Sequence, residues 1–194
     1  MRMPTNNVPI FALSTVLFPE GLLSLNIFEA RYLDMVSECL KQELPFGVCL
    51  ITEGREMGDA AHCYSTGTLA NIINWDMTDN GLLRIEAVGC QRFNIIDSSI
   101  ARDQLVSATI DVLPDAIPEP IPKSLQKLSL MLRGHIKKYR PDVSVDEEKF
   151  KDAGWVSNRL SELLPMEAVM RQRLLEIDNA NERLQVILGL FDKA

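Results

Sequence analysis

The chain has 194 residues, 46% of them hydrophobic and 24% charged, with a net charge of −7. This is the make-up of an ordinary soluble globular protein, long enough for one large domain or two small ones. The opening MRMPTNNV lacks the apolar core of a signal peptide, and no uninterrupted apolar run approaches membrane-spanning length, so a cytoplasmic protein without membrane attachment is expected.

In chain order, residues 8–13 form an apolar run short enough for a strand, and residues 15–18 add a second β-favouring patch. Phe18-Pro19-Glu20-Gly21 reads as a turn, because proline presets its second position and glycine suits its fourth. Leu22, Leu23, Leu25 and Ile27 resume an extended stretch. Asn26 followed by Glu29 predicts a helix start, the Asn side chain capping orphan amides and Glu29 reaching back to it. Phe28, Tyr32, Met35, Val36 and Cys39 then fall on one helical face, and Arg31, Asp34 and Glu38 on another.

Residues 46–51, a continuous apolar run, suit a strand buried on both faces. Residues 66–75 and 82–88 are further strands, joined by a loop that holds Met77 and in which Asn80-Gly81 signals a hairpin. Gly89 predicts a bulge or tight connection before a strand at 90–96, and residues 104–112 alternate again. Five to seven strands with one early helix make a compact, mostly antiparallel barrel. Cys39, Cys49, Cys63 and Cys90 contain no C-x-x-C pair, so neither a zinc knuckle nor a thioredoxin-like motif is present. Cys39 and Cys49 read as buried thiols.

Character changes near residue 115. Seven of the ten glycines come earlier, Pro114, Pro118, Pro120 and Pro122 mark the crossing, and helical periods follow. Up to Asp115 there are 7 Lys+Arg against 15 Asp+Glu, a net charge of −8, whereas the remainder carries +1. The expected organisation is a β-barrel domain over 1–115 and a helical bundle over 116–194. In the bundle, Leu125, Leu128, Leu132, Ile136 and Tyr139 form an apolar stripe between Pro122 and Pro141. Asp152 is placed to cap a helix that Pro165 stops, and residues 166–177 and 181–191 supply two more. The proline-rich junction predicts a seam suited to an extended polypeptide.

The segment PIFALSTVLFPEGLLSLNIFEARYLDM, residues 9–35, resembles the opening of the Lon protease N-terminal domain. Phe46-Gly47-Val48, Gly54-Arg55-Glu56, Gly67-Thr68-Leu69-Ala70, Asp79-Asn80-Gly81-Leu82-Leu83 and Gly89-Cys90-Gln91-Arg92-Phe93 are similar in order and spacing to that family's later blocks. Leu174-Leu175-Glu176, Asp178 and Glu182-Arg183-Leu184 are similar to its helical end. The resemblance implies an α+β fold: a PUA-like antiparallel β pseudo-barrel with one early helix, followed by a C-terminal α-helical bundle. It also implies a free-standing relative of Lon's substrate-recognising part. Departures are local: Glu20 lies inside the usual Phe-Pro-Gly turn, and Ser24 and Ala30 stand where proline is frequent.

No G-x-x-x-x-G-K-[ST] loop is present to cradle a nucleotide triphosphate, nor a G-x-S-x-G elbow or an H-E-x-x-H helix. No segment resembles Lon's serine-lysine protease domain. A non-enzyme is expected, with no catalytic residue, cofactor or metal site; Asp59, His62 and Cys63 lack the further ligands or orienting base such chemistry needs. The signature residues Phe18, Pro19, Phe28, Glu29, Arg31, Tyr32, Gly67, Gly81, Arg92 and Phe93 are assigned structural roles: Glu29 a helix cap, Arg31 and Arg92 ion-pair partners, Phe18, Phe28, Tyr32 and Phe93 core. By resemblance the function is polypeptide binding, of unfolded or degron-bearing segments or a protein partner. RNA binding, known for PUA-like folds, is the alternative, disfavoured by a barrel part at −8 that repels phosphates. Lys127, Arg133, Lys137, Lys138 and Arg140 read as a solvated helix face.

Overall fold

The computed structural model describes residues 5–191. Strand β1 (Thr5–Leu13) runs antiparallel to β7 (Val106–Val112) and parallel to β3 (Phe46–Glu53). β3 pairs with β5 (Thr66–Met77), β5 with β6 (Leu83–Ile100), and β6 with β7, all antiparallel. Those pairings close a five-strand ring, the parallel β1–β3 contact being the closure. Two strands lie off it: β2 (Leu22–Ile27) pairs with the first part of β6, and the short β4 (His62–Cys63) extends β3. The protein is α+β, with seven strands and five α-helices among the described residues.

β1 shows why its apolar residues run without a break. Val8 and Ile10 face one core, with Cys49, Leu69, Phe93 and Ile110, whereas Phe11 and Leu13 face another, with Tyr32, Met35, Val36 and Phe46. A strand buried on both sides cannot alternate with polar residues. Helix α1 (Ala30–Gln42) covers the second core, and the Tyr32 ring stacks on Phe11 with centroids 3.9 Å apart.

β6 is one strand of 18 residues, not two joined at Gly89. It bends at register shifts between Thr68/Ala70 of its partner and again at Ile95/Asp97, and so serves both the ring and the β2 sheet. The Phe18–Gly21 turn lies against the first bend. Gly21 N–H donates to the Phe18 carbonyl at 2.9 Å, Glu20 N–H to the Gly89 carbonyl at 2.8 Å, and Gly89 N–H to the Gly21 carbonyl at 2.8 Å. A Cβ on residue 89 would sit 2.2 Å from the Phe18 carbonyl oxygen, so only glycine allows this approach. Residues 15–18, expected as a strand, form none, because this docking directs their backbone bonds elsewhere.

Three further expectations are corrected. Asn26 does not cap α1: it is paired in β2 opposite Arg84, whose Nε donates to its Oδ1 at 3.4 Å. Glu29 is the residue at the cap position, but its side chain makes no capping bond. The β5–β6 connection contains Asn80-Gly81 but begins later than expected, at Thr78. Gly81 (φ 76) alone takes the left-handed conformation, Gly81 N–H bonds the Thr78 carbonyl, and Met77 ends β5 rather than lying in the loop.

The chain divides into two compact units, Met1–Asp115 and Ala116–Ala194. The second contains α2 (Gln126–Tyr139), α3 (Ala153–Leu163), α4 (Ala168–Glu176) and α5 (Ala180–Phe191). Asp152 caps α3, its carboxylate accepting from Gly154 and Trp155 N–H at 3.1 and 3.0 Å, and also from Glu119 N–H at 3.0 Å. The Arg183 guanidinium, buried, donates to Ser157 Oγ at 3.1 Å and the Ile177 carbonyl at 2.7 Å, and binds Asn158 Oδ1. Leu125, Leu128 and Leu132 are buried as expected, but Tyr139 at the end of the stripe is exposed. No helix among the described residues is long and apolar enough to cross a membrane.

Candidate functional site

The sheet β2–β6–β5 has one apolar face, fixed by register. Leu23, Leu25 and Ile27 stand opposite Ala87, Ile85 and Leu83, and Ile72, Trp75 and Met77 stand opposite the same three residues on the other side. Directly paired residues share a face. Its centre, Ile27, Ile85 and Ala87, belongs to the core beneath α1, but the face continues beyond that cover. Trp75 is 56% exposed and Met77 53%.

At the other end of this face is a cavity of about 210 Å³. Phe11 and Leu13 of β1, Leu25 to Ile27 of β2, Tyr32 of α1, and Phe28, Glu29, Glu56 and Met57 line it. Phe28 is 54% exposed and Met57 60%, so apolar side chains project at its mouth. Phe28 therefore leaves the core role assigned to it: α1 starts only at Ala30, so Phe28 is not on the helix face that points inward.

Arg31 holds the mouth in shape. Its side chain is 5% exposed. Its Nη1 donates to the Gln104 carbonyl at 2.9 Å, and its Nη2 reaches the Glu56 carbonyl at 3.3 Å and Glu29 Oε2 at 3.1 Å. Glu29 Oε2 in turn accepts from Gly58 N–H at 3.2 Å, and Glu56 Oε1 from Ser14 N–H at 2.6 Å. One cation and two carboxylates thus fasten the 54–58 loop, which carries Met57, to α1 and β1. These part-buried carbonyls would lose their donor without it.

The other signature residues are placed apart from the cavity. Phe18 and Phe93 are fully buried, Pro19 is in the turn against Gly89, Gly67 is buried in β5 opposite Phe93, Gly81 is in the hairpin turn, and Arg92 lies opposite Thr68 on β6. Burial raises the Cys63 thiol to about 11 and pushes Cys39, Cys49 and Cys90 upward as well, so all four stay protonated near neutral pH and none is an activated nucleophile. Among the described residues no three His, Cys, Asp or Glu side chains are grouped to hold a metal. A larger cavity, about 390 Å³ between the starts of β1 and β7 and helix α1, has no aromatic lining residue. The arrangement at Phe28 and Met57 can bury apolar side chains and offers no chemistry for bond making.

Trp75, Met57 and Phe28 were not legible as a surface. The available signal was the alternation Ile73, Trp75, Met77 against polar Asn74 and Asp76, but exposure of the apolar set depends on where α1 stops covering the sheet.

Residues 7–193 match the family described as the ATP-dependent protease La (LON) substrate-binding domain. The chain is 26% identical to Lon protease 2 of Herpetosiphon aurantiacus over 93% of this chain and 23% of that protein. It is 23% identical to a LON peptidase N-terminal domain and RING finger protein of Schizosaccharomyces pombe, over 93% of this chain and 44% of that one. It thus spans about a quarter of the bacterial Lon relative and under half of the yeast protein. The crystal structure of a Lon N-terminal domain protein from Xanthomonas campestris superposes with a TM-score of 0.81 at 28% identity, covering 95% of this chain and 98% of that one. The N-terminal domain of a Mycobacterium avium complex Lon protease shares the fold at a TM-score of 0.67 and 15% identity, with 94% and 96% coverage.

Proposed function

Since this chain belongs to the family of the Lon substrate-binding domain, we propose that it is a non-catalytic polypeptide-recognition module that takes up apolar segments of unfolded or degron-bearing proteins, or of a protein partner. The observation that carries this reading is the apolar face that runs out of the core into exposed Trp75 and Met77, beside a cavity edged by Phe28 and Met57. Aromatic and methionine side chains give large contact area, and methionine adapts to different partners. No motif for ATP hydrolysis or peptide cleavage accompanies them in the sequence, so neither activity is expected from the purified protein.

A single extended segment pays ordering entropy on binding, so dissociation is expected at about micromolar, near −8 kcal/mol. The test is fluorescence anisotropy with a labelled unfolded apolar peptide and a labelled RNA, each at low and moderate salt. Saturable peptide binding with little salt dependence, weakened by Trp75→Ser and Phe28→Ser, is the expected result. Salt-sensitive RNA binding without peptide binding would instead select the alternative, since release of counterions from phosphates makes such binding fall steeply with salt.

A further inference from the structure

The two outer edges of the β2–β6–β5 sheet are unlike. Pairing of β5 with β3 ends at Ala70, which leaves β5 from Asn71 to Met77 with a free edge. Its donors are taken by its own side chains: Trp75 N–H bonds Asn74 Oδ1 at 3.0 Å and Met77 N–H bonds Asp76 Oδ1 at 2.8 Å. Such self-capping blunts an edge against a further strand. β2 has no such protection. Its six residues pair with β6 in unbroken register, so alternate backbone N–H and C=O groups point away from β6, and among the described residues none of these groups has a partner. The side chain best suited to self-capping, Asn26, is engaged by Arg84 instead. The strand reads Leu-Leu-Ser-Leu-Asn-Ile, with no proline and no charge to discourage pairing.

The cavity adjoins this same edge. Consecutive residues Leu25, Asn26 and Ile27 all line it although their side chains alternate between faces, which places it alongside the strand and not over one face. Glu29 and Glu56 stand among its lining residues with only Arg31 between them, in a unit of net charge −8.

We propose that the free edge of β2 receives an extended segment of a partner polypeptide as an added strand, the segment's alternate apolar side chains seating in the Phe28–Met57 cavity and its intervening residues being neutral or basic. This rests on the polypeptide-recognition reading and specifies its mode: main-chain hydrogen bonds hold the segment and the cavity selects every second side chain. The excess of carboxylates favours Lys or Arg over Asp or Glu in the flanking positions.

The experiment uses the full chain and a labelled peptide in which Leu alternates with Thr and Lys, together with copies N-methylated at single successive positions. Strand addition predicts an alternating scan. Methylation at every second position lowers affinity about tenfold, since each removes one main-chain bond, and the intervening positions change it less than about twofold. Exchanging Lys for Glu weakens binding severalfold. A flat scan with the parent peptide still bound overturns strand addition while leaving polypeptide recognition standing. No binding of any of the peptides overturns both. A peptide-independent dimer in sedimentation, dissolved by Ser24→Lys, assigns the edge to a second copy and overturns the partner segment as its occupant.

Discussion

Two buried arginines show how differently the units are built. Arg31 ties α1 to Glu56 and Gln104, 25 and 73 residues away, whereas Arg183 ties α5 to Ile177, Ser157 and Asn158, 6 to 26 residues away. The barrel unit is held by groups distant in sequence that meet at one place: Gly89 against Phe18, Arg31 against two loops, β1 between β3 and β7. The helical unit is held over shorter spans on the whole, by caps and by bonds such as those of Arg183 in α5 to α3, with the bonds of Glu119 to Asp152 and Asn181 as its longer reaches. Disruption in the first should therefore spread, and in the second remain local.

The largest effect expected is from Gly89→Ala. The added Cβ must displace the Phe18 carbonyl from 2.2 Å, moving a turn that is bonded to β6 on both sides. A loss of about 3 kcal/mol or more is expected in urea melts, with the barrel signals affected throughout. A loss under about 1 kcal/mol would show that the docking of the turn is slack.

Arg31→Met comes next, at about 2–3 kcal/mol, because it takes the guanidinium donor from two part-buried carbonyls and leaves Glu29 only Gly58 N–H. Peptide affinity should fall with it as the Met57 loop loosens. If hydrogen exchange in residues 54–58 is unchanged, the arginine is not what fastens the loop.

Asp152→Ala should cost about 1–2 kcal/mol through loss of the α3 cap. The contrast between units predicts that faster exchange is confined to the helical unit. Spread into the β-strands would break the comparison.

Glu162 supplies a pH test in the same unit. Burial raises its carboxyl to about 7, against lowering by Arg159 and Arg171, whereas in the unfolded chain a glutamate titrates near about 4.3. The folded state thus holds the proton more tightly. Stability is greatest below about 4.3 on this account, falls as pH rises towards about 7, and is level above; the full shift is worth about 3–4 kcal/mol, which screening at a side chain 27% exposed reduces to about 1–2 kcal/mol. Glu162→Gln should flatten that slope, read from melting temperatures at several pH values. An unchanged slope would assign it to other groups.

The smallest effect is a gain. Glu20 holds a φ of 61, a left-handed conformation that costs a side-chain-bearing residue about 1 kcal/mol. Glu20→Gly should stabilise by about 0.5 kcal/mol after the added freedom of the unfolded chain is deducted. Destabilisation would mean that the Glu20 side chain has a role in the turn.

Local patterns carried the helical unit well: Asp152 before an apolar period, Pro165 after it, and Leu184 and Ile187 on one side of α5 all lie where spacing alone puts them. In the barrel unit, Leu22 to Ile27, residues 46–51 and the alternating β7 were legible as strands because side-chain burial repeats along each. The α+β class and the family resemblance were legible for the same reason, since both rest on the order of such segments. Asn26 was misread because Asn is favoured at caps and uncommon in strands, and its place in β2 depends on pairing with Arg84, 58 residues away. The burial of Arg31 was not legible because it requires the 54–58 loop and Gln104 to close over it. Phe28 and Trp75 are residue types common in cores, and nothing in their sequence neighbours says that α1 leaves both bare. Short-range chemistry is written in consecutive residues and can be read there. Exposure of an apolar face, the freedom of a strand edge and the partner of a buried charge depend on which distant segments arrive, and those belong to the folded chain alone.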